Sequence, residues 1–456
     1  MSEKRGFDAI FVGGGVIGLS CAWRAAQRGA RVAVIDPAEP PAGATNVAAG
    51  MLAPVGELTF GEPELLKMTL ASAALYPQFV AELEAASGEK TGYSRQGALH
   101  VALDRDEAAQ LRRVHELQRS LALEADWLPP RRCRELEPGL TPSFAGGVFA
   151  AGEAAIDPRA LTRALVAALA AAGGELRTGC EVVGGVFEGE RLCGVRVGAA
   201  KRRDAGVDDG HRGDAAGVPR LEDPAPAPHD DAPAASEPDS APLAPRGAAE
   251  SEELLADAVV LCAGAWSARA QWLPEQARPA VRPVKGQVLE LRAAAGEPPC
   301  ERIVASERIY LVPRPDGRLI VGATSEERGF DTTVLAGGVH ELLREAYRVL
   351  PDVAEMELLG AIAGLRPGTP DNLPLIGPGA IDGLHLATGH YRNGVLLAPL
   401  TAEAIAAQLT GEAGPDVAAA DPARPLIGKV RSSFVSHSAT NDERAPGPEA
   451  HRVASR

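Results

Sequence analysis

The segment Gly13–Gly18 (GGGVIG) constrains the fold more than any other feature, because its glycines follow the pattern G-x-G-x-x-G. It stands between a predicted strand, Asp8–Val12, and a predicted helix, Gly18–Arg28. A second short β-branched strand, Arg31–Asp36, comes directly afterwards. Strand, glycine turn, helix and strand in this order predict a dinucleotide-binding βαβ unit.

Each glycine of the fingerprint has its own steric role. Gly13 permits the tight turn, Gly15 lets the backbone approach a pyrophosphate, and Gly18 lets helix and strand pack closely. The helix N-terminus adds N–H groups and a positive dipole end. Asp36, 18 residues past Gly18, can accept both ribose hydroxyls and repels a 2′-phosphate, which disfavours NADP. The fingerprint alone does not separate NAD from FAD.

Most of the net charge of −15 belongs to one segment, residues 204–253, which holds 13 acidic and 3 basic side chains. The segment has eight prolines and no Ile, Phe, Met, Trp or Tyr, so it cannot bury enough apolar surface to offset chain entropy. We predict a disordered acidic Pro/Ala-rich insertion in a hairpin between strands Arg191–Val197 and Leu255–Cys262. The tail, residues 428–456, is also predicted to be disordered. The negative net charge of the chain argues against a nucleic-acid partner.

The N-terminal residues and the cysteines indicate the compartment. Met1–Phe7 is short and polar and leads directly into a strand, unlike a secretory signal. Ala9–Trp23 is uncharged but has only 15 residues and four glycines, too few apolar residues to span a membrane. The six cysteines form no C-x-x-C pair, which favours isolated buried thiols over disulfides or zinc. We expect a cytoplasmic protein with no membrane span and no metal.

Four further motifs give a family resemblance. They are ATNVAAGMLAP at 44–54, DAVVLCAGAWS at 257–267, GLRPGTPDNLPLIG at 364–377 and GHYRNGVLLAP at 389–399. In this order they resemble the D-amino-acid-oxidase-type family of FAD-dependent oxidoreductases, and within it most closely the glycine oxidases of thiamine biosynthesis. The resemblance covers residues 8–411 apart from the acidic insertion.

The resemblance implies an α/β fold with two domains. A Rossmann-type FAD-binding domain of the glutathione-reductase-like kind is expected from residues 1–90, 148–265 and 365–427. An inserted α+β substrate domain with an antiparallel sheet is expected from residues 91–147 and 266–364.

The resemblance also implies non-covalent FAD contacts beyond Gly13, Gly15 and Gly18. These are Val16, Ile17, Asp36, Pro37, Ala44, Thr45, Ala49, Gly50, Met51, Val182, His390, Tyr391, Arg392, Asn393, Gly394, Val395 and Leu396. The last seven lead into a predicted helix ending near Leu409. Its N–H groups can stabilise the negative charge that develops at the flavin pyrimidine edge on reduction. Pro399 is expected in the first turn of that helix, where a missing N–H is tolerated.

Three residues are expected to hold the substrate. Arg366 can grip a carboxylate with two parallel hydrogen bonds, and family members use the matching position for this purpose. Tyr310, in RIYLVP, can donate its hydroxyl to the same carboxylate, and Arg392 is a second guanidinium near the flavin ring. No residue is assigned as an acid or a base, because burial alone lowers the pKa of a substrate amine.

The implied reaction is oxidative deamination of glycine, with dioxygen as acceptor, to glyoxylate, ammonia and hydrogen peroxide. It runs through an imine that feeds thiazole formation. Related alternatives are a D-amino-acid dehydrogenase that reduces a quinone and a sarcosine-type oxidase. A nucleotide-binding sensor or scaffold is an alternative from another class. Whether the chain forms a homo-oligomer is left open by the sequence.

Overall fold

The fold is taken from a computed structural model, which describes residues 6–200, 251–293 and 298–425. The predicted disordered tail and nearly all of the predicted acidic insertion lie outside the described residues. The insertion was expected to reach residue 253, but Glu252 and Glu253 belong to a strand and pair with Val197 and Arg196. The predicted hairpin strands do pair antiparallel, as expected.

Eight α-helices are present in the described ranges. In chain order they are α1 (Val16–Gln27), α2 (Gly43–Val47), α3 (Pro63–Ser87), α4 (Arg105–Ser120), α5 (Pro130–Leu136), α6 (Pro158–Ala171), α7 (Ala336–Val349) and α8 (Gly394–Thr410).

Eighteen β-strands are present in the same ranges. They are β1 (Phe7–Val12), β2 (Val32–Ile35), β3 (Met51–Leu52), β4 (Ala98–Ala102), β5 (Asp126–Leu128), β6 (Gly146–Ala150), β7 (Ala154–Ala155), β8 (Glu175–Arg177), β9 (Cys180–Glu188), β10 (Arg191–Ala199), β11 (Glu252–Leu261), β12 (Arg282–Arg292), β13 (Ile303–Ala305), β14 (Tyr310–Pro313), β15 (Arg318–Gly322), β16 (Glu357–Gly368), β17 (Leu375–Pro378) and β18 (Leu384–Thr388).

The first sheet has β1 near its centre. Its strand order is β17-β18-β11-β1-β2-β8, and β18, β11, β1, β2 and β8 run parallel. Strands β9 and β10 extend β11 as an antiparallel meander. Strands β1 and β2 are almost continuously apolar because both of their faces are covered. One face of this sheet is covered by four helices, α1, α3, α6 and α8. The opposite face packs against β10 and Leu273.

The second sheet is antiparallel at all but one pairing. Its order is β16-β12-β15-β14-β13-β4-β6-β5, and only β13 and β4 run parallel. Helix α7 packs on it through Leu342, Ala346 and Val349. The Rossmann-type unit with a separate antiparallel sheet confirms the predicted fold class.

Two of the predicted domain boundaries fall inside strands. The boundary at 147/148 lies within β6, and the boundary at 364/365 lies within β16. Both strands pair only with strands of the second sheet. Arg366 therefore lies on the second sheet rather than at the start of the FAD-binding part.

The expectation for Pro399 is wrong. Helix α8 begins at Gly394, so Pro399 is its sixth residue and lies beyond the first turn. Its missing N–H would leave the carbonyl of Val395 without a helical partner. The hydroxyl of Tyr76, on α3, donates to that carbonyl instead.

A second hydroxyl group of α3, that of Ser72, binds main-chain groups of α8 one residue further along. Ser72 Oγ donates to the carbonyl of Leu396 at 2.6 Å and accepts from the N–H of Leu400 at 3.3 Å. The interrupted turn of α8 is thus satisfied from α3, which explains how a proline is tolerated there.

Within the described part of the chain, no helix is long and apolar enough to cross a membrane.

Candidate cofactor and substrate site

The glycine fingerprint is packed too tightly for side chains at two of its three positions. A Cβ atom on Gly18 would lie 1.9 Å from the carbonyl oxygen of Gly13. One on Gly13 would lie 2.4 Å from the carbonyl oxygen of Cys262, and Gly13 has a φ of 121°. The first and last glycines therefore lie against each other across the turn, which fits the close packing of helix and strand expected at Gly18.

The N-terminus of α1 is arranged to receive an anion. Gly15 is its N-cap, and the first turn contains no acidic residue. Thr45 Oγ1 accepts from the N–H of Val16 at 3.1 Å, which brings the second predicted cofactor segment to the same helix end. A phosphate is stabilised at such a position by N–H groups and the helix dipole.

Asp36 is fixed beside the same turn. Its Oδ2 accepts from the N–H of Gly14 at 2.6 Å, and its Oδ1 accepts from the N–H of Ala38 at 2.8 Å. Val182, on β9, is half-buried against the apolar cluster that contains Ile35, the last residue of β2. The structure thus places two predicted FAD contacts, Asp36 and Val182, beside β2.

The segment Ala49–Met51 is held from two sides. Gly50 has a φ of 71°, and a Cβ atom on it would lie 2.0 Å from the carbonyl oxygen of Ile156. The buried guanidinium of Arg314, from the second sheet, donates to the carbonyl of Ala49. A segment predicted to contact FAD is thus fixed between the start of α6 and the second sheet.

The turn before α8 forms a second anion-binding end. Asn393 is the N-cap but makes no side-chain cap, and the first turn again contains no acidic residue. Tyr391 has a φ of 49°, which turns the chain into the helix. His390 is buried with Nε2 3.0 Å from Thr401 Oγ1, and burial lowers the pKa of His390 to about 3. The imidazole is therefore neutral.

FAD fits these two helix ends. Its pyrophosphate matches the N-terminus of α1, whose first turn has no acidic residue, and its pyrimidine edge, which gains negative charge on reduction, matches the N-terminus of α8.

Arg366 lies on β16 and is half-buried. Its Nη1 donates to the carbonyls of Thr324 at 3.1 Å and Lys285 at 3.4 Å. A Cβ atom on Gly286, on the neighbouring strand β12, would lie 2.3 Å from that Nη1. Two carbonyls and one glycine therefore set the position of the guanidinium.

Tyr310 lies on β14 and faces Arg366. Burial raises the pKa of Tyr310, and the Arg366 guanidinium partly offsets that rise. The hydroxyl is therefore protonated at neutral pH and available as a donor. A Cβ atom on Gly322, directly opposite on β15, would lie 2.4 Å from the hydroxyl oxygen. The two predicted carboxylate ligands are thus brought together.

Arg392 connects the turn before α8 to the segment before α3. Its Nη2 donates to Thr59 Oγ1 at 2.8 Å and lies 3.6 Å from Glu62 Oε2. Glu62 Oε1 also accepts from Asn372 Nδ2 at 2.7 Å. The guanidinium thus ties residues 59–62 to the turn before α8, a role the sequence did not predict.

Glu57 is the charged residue that sequence reasoning missed. Burial raises its pKa, the guanidinium groups of Arg392 and Arg366 lower it, and Glu153 raises it further, with a net rise. Tyr310 also lies within electrostatic reach of Glu57. The only feature of the sequence that points to Glu57 is its position, three residues after the motif at 44–54.

The described residues contain no group of three or more His, Cys, Asp or Glu side chains placed to hold a metal ion. All six cysteines are free, and four of them are buried.

Comparison with known proteins identifies the family of the chain. A family model described as FAD dependent oxidoreductase matches residues 8–212 and 239–408. The chain therefore belongs to the FAD-dependent oxidoreductase family, whose cofactor is FAD.

Particular relatives cover most of the chain. The bifunctional protein ThiO/ThiG of Trichormus variabilis is 32% identical over 401 residues, which are 88% of this chain and 52% of that protein. The chain thus spans about half the length of this relative. Glycine oxidase of Geobacillus kaustophilus is 31% identical over 398 residues, 87% of this chain and 90% of the relative. The crystal structure of glycine oxidase from Geobacillus kaustophilus superposes with a TM-score of 0.74, covering 92% of this chain and 99% of that one.

Proposed function

We propose that this chain catalyses the FAD-dependent oxidative deamination of glycine to glyoxylate, ammonia and hydrogen peroxide. The carrying observation is that Arg366 and Tyr310 face each other beside the segment Ala49–Met51, which is predicted to contact FAD. Tyr310 packs on the same small apolar cluster as Ala49 and Met51, so a carboxylate bound there lies near that segment.

The chemistry of these side chains suits a small amino acid. The Arg366 guanidinium can bind a carboxylate through two parallel hydrogen bonds, and the Tyr310 hydroxyl can donate a third. Gly286 and Gly322 leave room for both side chains in the middle of the sheet. Bound FAD supplies the two-electron acceptor, and the protein supplies binding and orientation. The FAD contacts and the three substrate residues predicted from the sequence form part of this proposal.

The relatives support the substrate and the wider role. The name glycine oxidase supports glycine as substrate, and the ThiO/ThiG relatives support delivery of the imine to thiazole formation in thiamine biosynthesis.

The test is oxygen-dependent peroxide formation by the purified FAD-loaded protein with glycine, sarcosine and D-alanine. We expect peroxide with each turnover and the highest kcat/KM for glycine. A higher kcat/KM for sarcosine or D-alanine than for glycine would show that glycine is not the preferred substrate. Reduction of a dye or quinone without peroxide would indicate a dehydrogenase instead.

A non-enzymatic sensor or scaffold is tested by the same preparation. Protein purified without yellow colour, and unable to take up FAD, would favour that alternative over an oxidase.

A further inference from the structure

Glu57 lies in a short segment that is fixed at both ends. The N–H of Gly56 donates to Glu153 Oε1, and two residues past Glu57 the hydroxyl of Thr59 accepts from Arg392. The main-chain N–H of Glu57 itself donates to the carbonyl of Ala53 at 3.0 Å. The backbone that carries this carboxylate is therefore fixed beside the proposed substrate residues.

An unusual pair of polar groups lies behind Glu57. His100 Nε2 and Glu153 Oε2 are 3.8 Å apart, and neither has a hydrogen-bond partner. Glu153 is only 1% exposed. Both groups lie close to Gly56. A Cβ atom on Gly56 would lie 2.0 Å from His100 Nε2 and 2.9 Å from Glu153 Oε2. A buried carboxylate oxygen without a partner is costly and calls for a functional explanation.

The titratable groups within electrostatic reach of Glu57 come from several elements. They are Arg392 from the turn before α8, Arg366 from β16, Tyr310 from β14, His100 from β4 and Glu153 from the turn before β7. The two guanidinium groups favour the ionised carboxylate, while Glu153 and burial favour its protonated form. The net effect is a raised pKa of Glu57.

We propose that Glu57 removes the proton from the ammonium group of the amino-acid substrate before oxidation, with Glu153 and His100 as positioning residues. This rests on the proposed amine oxidation. An amino acid in neutral water carries an ammonium group, which has no lone pair to assist loss of a hydride from the carbon.

The step is a proton transfer with no change in oxidation state. An N–H bond of the substrate breaks, an O–H bond forms on Glu57, and the electron pair stays on nitrogen. Arg366 and Tyr310 hold the carboxylate, and the positive charge of Arg366 and Arg392 disfavours the ammonium form. The protonated Glu57 is neutral, so it leaves no new buried charge.

The test compares wild type with Glu57→Gln across pH, using anaerobic flavin reduction by glycine. At pH 7 we expect kcat/KM of the variant to fall about 100-fold or more, a usual size for general base catalysis. Above the pKa of the substrate amine, near pH 10, the two proteins should converge to within about 5-fold. Glu64→Gln, at an exposed position on α3, is the matched control and should match wild type throughout.

Glu153→Gln gives a second, independent test. It keeps an oxygen for the N–H of Gly56 but removes the charge that raises the pKa of Glu57. The acid limb of the kcat/KM profile should therefore move to lower pH, and an unmoved limb would overturn the assignment.

Other outcomes separate the two claims. A Glu57→Gln variant as fast as wild type at pH 7, or one that stays slow at pH 10, would overturn the role of Glu57 while leaving amine oxidation intact. A wild-type flavin that no amino acid reduces would overturn the proposed function itself. Acetate, which lacks the amine, should bind Glu57→Gln at least as tightly as wild type by flavin difference spectra, because the variant loses a negative charge near the carboxylate site. Weaker acetate binding by the variant would show that Glu57 supports carboxylate binding, and would overturn its assignment as a base.

Discussion

The Tyr76 hydroxyl donates a hydrogen bond to the main-chain carbonyl of Val395, four residues before Pro399. This bond takes the place of the one that proline cannot make, and it joins α3 to the helix whose N-terminus faces the proposed flavin site. The mid-helix proline and Tyr76, which lies 319 residues before the carbonyl it binds, are thus one structural unit.

Tyr76→Phe tests this unit. The ring and its packing on Phe79 and Tyr93 are retained, but the buried carbonyl of Val395 loses its donor. We expect a loss of about 1–3 kcal/mol in the free energy of unfolding, measured by denaturant titration of the FAD-loaded protein.

Pro399→Ala supplies the control for that experiment. Alanine restores the helical N–H, so Tyr76→Phe in the Pro399→Ala background should cost less than half as much. Equal costs in both backgrounds would show that the tyrosine does not replace the missing helical bond.

The glycines opposite the carboxylate ligands should be sensitive to a single methyl group. Gly322→Ala places a Cβ atom on the hydroxyl of Tyr310 and should raise the KM for glycine by about 10-fold or more, as expected when a positioned side chain is displaced. Gly360→Ala, on β16, meets no atom within 4 Å and is the matched control. A KM that rises equally in both variants would contradict the steric explanation.

Arg366 should respond to changes of both charge and shape. Arg366→Ala removes a charged partner of the carboxylate, and we expect the KM for glycine to rise about 100-fold or more. Arg366→Lys keeps the charge but not the paired donors, so an intermediate rise is expected. Arg113→Ala, at an exposed position on α4, is the control. A near-normal KM for Arg366→Ala at full FAD content would exclude Arg366 as the carboxylate ligand.

Asp371 makes stability depend on pH. Arg424 binds its two oxygens at 2.9 and 3.0 Å and also donates to the carbonyls of Leu373 and Pro374. Burial alone raises the pKa of Asp371, but the hydrogen bonds and charge of Arg424 lower it below its usual range. The stabilisation is therefore complete above the unfolded pKa, about 4, and is lost as pH falls through the lower folded value.

Asp371→Asn should accordingly cost about 1–3 kcal/mol at pH 7. The difference from wild type should shrink steadily below about pH 4 in denaturant titrations. Asp257→Asn, at an exposed position, should show no such trend. A cost that is the same at pH 7 and in acid would show that the ion pair is not its source.

The fold could be predicted from local patterns because its main signals are local. The fingerprint, the first helix and the following strand lie within about thirty residues, and steric rules link them directly. The hairpin strands on either side of the acidic insertion were recognisable for the same reason. Arg366 and Tyr310 were found through the motifs that contain them, and the structure then brought them together.

The rest of the site depends on contacts between distant parts of the chain. Glu57 stands out only once the fold brings side chains of β16, β14 and the turn before α8 within its electrostatic reach. Gly286 and Gly322 are ordinary strand residues until the register places them against Arg366 and Tyr310. The rule used for Pro399 was sound, but the compensating hydroxyl comes from α3, which no local pattern reveals.

The central claim is that glycine reduces the flavin bound by this chain. The most direct measurement is the visible spectrum of the purified FAD-loaded protein during anaerobic addition of glycine. We predict loss of the oxidised flavin bands with glycine and their return when air is admitted, with formation of hydrogen peroxide. Flavin bands that stay unchanged at saturating glycine would contradict the claim.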